Sequence, residues 1–182
     1  MLRLIKRHYF FLIIILFFVY SAASIYRSSF VVHDIRYFIL SDDLMIQMKY
    51  GYNLIHGHGL VWNAGGERVE GFSDPLWVIY LGLLQLIPLS LSKISILVQI
   101  SGAIFMAGSL YFVKKIAAFV SNSNFFVIFL SILFTAFYFP LINWSVILGT
   151  ETSILTLLLT ATTYLALKSA ANRKFSFLLC FL

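Results

Sequence analysis

Three segments make up most of the one polar stretch of this chain: Ser41-Asp42-Asp43-Leu44, Asn53-Leu54-Ile55-His56-Gly57-His58-Gly59-Leu60-Val61-Trp62-Asn63, and Gly66-Glu67-Arg68-Val69-Glu70-Gly71-Phe72-Ser73-Asp74-Pro75-Leu76-Trp77. Six of the seven acidic residues lie between Arg27 and Asp74, together with three of the four histidines. The sequence on either side is hydrocarbon-like. A chain that gathers nearly all its titratable groups into one loop has placed its chemistry there, or its polar recognition.

Composition explains why that loop stands out. The 182 residues are 61% hydrophobic and 11% charged, against about 25% charged in soluble domains, and mean hydropathy is +0.95. This is the signature of an integral membrane protein. The net charge of +6 fits basic residues at cytoplasmic helix ends and lipid headgroups, not nucleic-acid binding. Cys180, the single cysteine, excludes a disulfide framework and a cysteine-based metal site.

The expected architecture is all-α, a polytopic transmembrane helix bundle. Apolar runs predict spans over 9–25, 75–91, 94–113, 125–142 and 152–167, with a further run starting at 175. In lipid each must be helical, because only a helix satisfies its own backbone groups there. Ser21-Ala22-Ala23 could end a cleaved leader, but a run of this length followed by more spans favours an uncleaved first helix with a cytoplasmic N-terminus. The last run stops at Leu182, too short to cross, which predicts the front part of a longer protein. Simple alternation then puts Lys114, Lys115, Lys168, Arg173 and Lys174 outside, against the positive-inside rule. The repair is that 75–91, which carries Pro88, dips in and returns on the same side.

Within the loop, about 27–74, Ser41 followed by Asp42 and Asp43 predicts a helix start, with carboxylates favoured by the helix dipole. Leu44, Met48, Tyr52 and Ile55 recur at helical spacing and Gly57 suits the C-terminal cap, giving an amphipathic surface helix. Leu60-Val61-Trp62 and Arg68-Val69-Glu70 flank Asn63–Glu67 and predict a short hairpin. Pro75 opens the next helix.

The candidate site residues follow from chemistry. Asp42 and Asp43 sit at a predicted membrane boundary, where a carboxylate is costly unless capped, solvated or used. Their side chains diverge by about 100° on a helix, so only one faces a site. His56-Gly57-His58 is a weak metal signal that fits a tight turn equally well. Arg68 between Glu67 and Glu70 offers a guanidinium matched to phosphate oxygens. Trp62, Phe72 and Trp77 read first as an interfacial aromatic belt. Glu151, the one acid outside the loop, begins a helix, where capping and a share in the site compete.

The ordered series from Asp42-Asp43 through Gly57-His58-Gly59-Leu60-Val61-Trp62-Asn63 to Gly66-Glu67-Arg68-Val69-Glu70-Gly71-Phe72-Ser73-Asp74-Pro75, with Gly149-Thr150-Glu151-Thr152 further on, resembles bacterial GT-C glycosyltransferases. The relatives of the mycobacterial terminal arabinofuranosyltransferases are the nearest group, with Thr150 standing where that group has Met. The resemblance covers about a third of the chain. It implies a multi-pass enzyme of the inner (cytoplasmic) membrane. Such an enzyme moves a sugar from a polyprenyl-phosphate donor to a glycan or lipid acceptor of the cell envelope, with its loop on the extracytoplasmic side. It maps the catalytic aspartate to Asp42 or Asp43, preferring Asp42, and leaves His58, Asn63, Glu67, Arg68, Glu70 and Glu151 for substrate. A divalent cation, magnesium or manganese, would be held by Asp43 and Glu67. The competing expectations are a non-catalytic truncated fragment and a transport or assembly subunit. The latter would carry charges within its spans, and these spans carry almost none.

Overall fold

The computed structural model describes residues 2–172 and is mostly helical. Helix α1 (Leu2–Ser28) is followed by a two-stranded hairpin, β1 (Phe30–Val32) and β2 (Ile35–Tyr37), then α2 (Asp42–Ile55), α3 (Pro75–Leu84), α4 (Leu91–Val120), α5 (Phe125–Phe137), α6 (Phe139–Ile142), a π-helical turn (Asn143–Ile147) and α7 (Thr152–Asn172). Three of these helices contain stretches long and apolar enough to cross a bilayer: His8–Ser28, Ser92–Val120 and Thr152–Asn172. The bent pair running from Phe125 to Ile147 makes a fourth if it is taken as one span.

Two apolar clusters hold the helices. Ile13 and Phe17 of α1 pack with Met106 and Leu110 of α4, Ile132 and Ala136 of α5, and Ile142 and Val146 beyond the bend. Leu40, Leu44, Trp77, Leu81 and Val98 form the second cluster, under α2 and α3. Small residues set the closest approaches, as expected where helices associate without a hydrophobic driving force between them. Gly102 lets the Ser145 backbone lie against α4, and Gly108 faces Leu157 of α7.

The arrangement gathers the acids at one end of the bundle. Tyr9 stacks edge-on against Phe125 at 5.3 Å, and the Lys114 ammonium lies 4.3 Å from the Phe10 ring centre. Phe112 meets Tyr164 at 6.1 Å. The start of α1, the end of α4, the start of α5 and the end of α7 therefore share one end of the bundle, which carries Lys114, Lys115 and Lys168. At the other end the Gln99 amide donates to Ile39 O at 2.9 Å and Ile147 O at 2.7 Å, while Ser41 N donates to Leu148 O at 3.2 Å. All seven acids lie at that end.

Three expectations need correcting. The segment 75–91 is not a span: α3 has 10 residues, about 15 Å at about 1.5 Å per residue, half of a hydrocarbon core of about 30 Å. It lies against α2, which fits the repair that keeps both its ends on one side. The run 125–142 is not one straight helix, because the axis bends by 50° at Tyr138. Pro140 has no N–H to donate and its ring clashes with the preceding turn, so α5 stops and the chain restarts. The hairpin is at Phe30–Tyr37, not at 60–70. His33 and Asp34 take left-handed φ of 47° and 62° at its turn, a two-residue geometry that Asp tolerates.

The α2–α3 contact is backbone on backbone. A Cβ added to Gly82 would lie 2.9 Å from Gly51 O, and one added to Gly51 would lie 2.8 Å from Gly82 N. Gly82→Leu is expected to lower stability by about 1–3 kcal/mol, the usual cost of overpacking, seen as a lower melting temperature in detergent. An unchanged melt would mean that α3 does not lie on α2.

Candidate active-site cleft

The segment 56–74 forms no strand or helix, so its carbonyls depend on side chains and water for partners. One face of α2 supplies them. Gln47, Tyr50 and Asn53, at three-residue spacing, are all buried. Asn53 Nδ2 donates to Val61 O (2.7 Å) and Trp62 O (2.9 Å), Tyr50 OH donates to Val69 O (2.8 Å), and Gln47 Nε2 donates to Asp74 Oδ2 (3.3 Å). The loop thus runs back along α2, from Val61 near its end to Asp74 near its start. Tyr50 also packs edge-on against Phe72 at 5.0 Å, and Gly71 passes so close that a Cβ there would meet the Tyr50 hydroxyl at 2.7 Å.

The helix forms as the sequence predicts. Ser41 Oγ accepts from Leu44 N at 3.3 Å, and Gly57 takes φ +80° after the last turn. Its buried face is rotated from the expected one. Tyr52 is exposed, and the polar Gln47 and Asn53, which fall off the apolar stripe, are inside.

Between the start of α2, the end of the loop and the start of α7 lies a cleft of about 350 Å³. Its carboxylates are Asp43, Glu70, Asp74 and Glu151, and Phe72 and Trp144 add aromatic wall. Three of the acids mark helix N-termini. Asp43 is in the first turn of α2, Asp74 is the N-cap of α3, and the Glu151 carbonyl accepts the Leu155 N–H as α7 begins. Each occupies a place where the helix dipole favours negative charge. The π-helical turn delivers the far wall: Leu148 N reaches back to Asn143 O at 2.8 Å, and Thr150 donates through Oγ1 to Trp144 O at 2.9 Å. Gly149 has φ +72°, and a Cβ there would meet Leu40, Leu44 and Val98 within 3.0 Å. Only glycine fits between the two segments.

Of the residues singled out in the sequence, the cleft brings together Asp43, Glu70 and Glu151. Asp42 is exposed and does not line it. Arg68 lines a second cavity, of about 300 Å³, which shares Glu70 and Phe72 with the first. Glu67, His58 and Asn63 are exposed and line neither. His58 is held by its backbone N–H on Asn53 O at 2.9 Å, and His56 stacks on Tyr52 at 4.0 Å. Of the pair expected to hold a cation, Asp43 lines the cleft and Glu67 does not. Among the described residues no three His, Cys, Asp or Glu side chains converge to hold a metal ion. Sequence reasoning gave Asp74 no role, and set Gln47 aside as a residue off the apolar stripe.

No protein-family model, no curated protein and no solved structure matches this chain.

Gln99 fastens the two halves of the cleft, since it is the donor to both Ile39 O and Ile147 O. Gln99→Met keeps the volume and removes both bonds, and each buried acceptor left unpaired costs about 1–3 kcal/mol. The expected result is a clear fall in melting temperature. Gln85→Met is the control, because one carbonyl it serves, Met48 O at 3.0 Å, belongs to a helical turn with its own donor. Equal losses in the two variants would refute the special place of Gln99.

Proposed function

We propose that this protein is a bilayer-embedded glycosyltransferase of GT-C type. It takes a sugar from a polyprenyl-phosphate donor and passes it to a hydroxyl of a glycan or lipid acceptor of the bacterial cell envelope. The observation that carries the reading is the cleft. The two segments that bear the sequence resemblance, 41–74 and 149–152, are far apart in the chain and meet around one set of carboxylates. In orientation, the end with Lys114, Lys115 and Lys168 faces the cytoplasm by the positive-inside rule, which leaves the cleft on the extracytoplasmic side of the inner membrane.

A sugar hydroxyl is a weak nucleophile. A carboxylate in the cleft takes its proton as the oxygen attacks the anomeric carbon. The bond from that carbon to the phosphate oxygen breaks, and the lipid phosphate leaves with the electron pair. Asp43 fits the base better than Asp42, because it lines the cleft and Asp42 does not. The leaving phosphate gains charge, and the Arg68 guanidinium, across the Glu70–Phe72 wall, is the cation nearest in kind to offset it. Magnesium or manganese belongs to the family expectation, but the donors here do not converge on one point, so no step is drawn through a cation.

Asp43→Asn is expected to cut transfer from a polyprenyl-phosphate sugar in washed membranes by roughly 10²–10⁴-fold, the usual worth of a positioned general base. Asp42→Asn should cost little, since Asp42 does not line the cleft and the helix start stays capped by Ser41. The reverse ranking would restore Asp42. Full activity in both would move the base to Glu70, Asp74 or Glu151. For orientation, a cysteine at Ala64 should react in intact cells with a membrane-impermeant reagent, and one at Ala170 should be shielded. Shielding at position 64 would overturn the orientation.

A further inference from the structure

A separate groove of about 520 Å³ lies on the other side of α2, between that helix and the first turns of α4. Met45, Met48, Tyr52 and Ile94 make its apolar wall, and Lys49 is its only charged residue. Met45 is 54% exposed and Tyr52 37% exposed, so the groove opens outward. The Lys49 ammonium lies 5.5 Å from the Tyr52 ring centre, and no carboxylate lines the groove.

Its depth in a bilayer follows from α4. Lys93 and Lys114 bracket an uncharged run, 94–113. That is about 20 residues and about 30 Å of helix, which matches the hydrocarbon thickness. Lys93 therefore sits in the headgroup layer, and Ile94 and Ser95, which line the groove, sit at its boundary with the acyl chains. At that depth the groove combines one lysine with an apolar wall. It is complementary to one chemistry, an anionic headgroup above an acyl chain.

We propose that this groove holds an anionic phospholipid of the surrounding leaflet, its phosphate on Lys49 and one chain against Met45, Met48 and Ile94, and that this lipid fixes α2 at the membrane surface. The helix that carries Asp43 into the cleft would then be seated by the bilayer as well as by α3. The inference rests on the bilayer placement of α4 and not on sugar transfer, and its readout is lipid retention.

The test is native mass spectrometry of the purified full chain in detergent with equal phosphatidylglycerol and phosphatidylcholine. The wild type should retain phosphatidylglycerol in preference. Lys49→Gln, an exposed substitution checked for unchanged helicity, should lower that preference by about fivefold, the worth of one lysine at an anionic surface. Lys115→Gln, at the opposite end of α4 and outside the groove, should lower it clearly less. Equal retention by wild type and Lys49→Gln, no preference in the wild type, or an effect as large from Lys115→Gln would each overturn the proposal. So would polyprenyl phosphate displacing phosphatidylglycerol from the wild type at equal concentration and not from Lys49→Gln, which would give the groove to the donor lipid.

Discussion

Backbone groups that leave a helix close to hydrocarbon must find partners, and this fold depends on how it meets that demand. The segments 38–41, 56–74 and 148–151 are irregular, and all three gather at one end of the bundle. Three buried side chains, Tyr50, Asn53 and Gln99, donate to carbonyls of these segments or, at Ile147, beside them, and a fourth, Gln47, donates to the Asp74 carboxylate. A buried acceptor left unpaired costs about 1–3 kcal/mol, so these four donors decide whether a loop of this length can lie down at all. An apolar residue at any of the four positions would suit the sequence's own pattern better and the structure worse.

The same demand explains how several carboxylates share one cleft. Helix N-termini carry unpaired N–H groups and partial positive charge, and the cleft sits where α2, α3 and α7 begin. Asp43, Asp74 and Glu151 each belong to one of those starts. The positive ends oppose the mutual repulsion of the acids without any basic side chain lining the cleft. Arg68 stays in the neighbouring cavity, beyond Glu70 and Phe72, so the carboxylates and the guanidinium fall on different sides of one wall.

What the sequence made legible was governed by local rules. The Ser41 cap, the extent of α2, the left-handed Gly57 and the apolar run 94–113 follow from capping preference and hydropathy, which act within a turn or two. Apart from the local break at Pro140, the misreadings involve competition with something distant. Valine and tryptophan around 60–70 favour strands, but Tyr50 and Asn53 capture those carbonyls, so no strand pairs there. Pro140 was submerged in an otherwise continuous apolar run, and its cost shows only as the 50° bend. Asp74 has no role legible in sequence, and its place beside Asp43 depends on the loop folding back along α2. Nothing within a few residues of Asp74 encodes that return.

Helix α2 shows why an amphipathic reading was too simple. A surface helix has one apolar and one polar side. This one has four employments around its circumference: Asp43 toward the cleft, Gln47, Tyr50 and Asn53 toward the loop, Gly51 against Gly82, and Met45 with Lys49 toward the groove. Its apolar residues are therefore spread around the helix, and two of its polar ones, Gln47 and Asn53, are buried. The constraint runs in both directions. Because the glycine contact fixes the helix axis at backbone distance, rotation that would improve the apolar stripe would pull three latching side chains off the loop. The rotation seen keeps those hydrogen bonds and leaves Met45 and Tyr52 outward. That is a tolerable outcome only if what they face is itself apolar, as the boundary layer of a bilayer is.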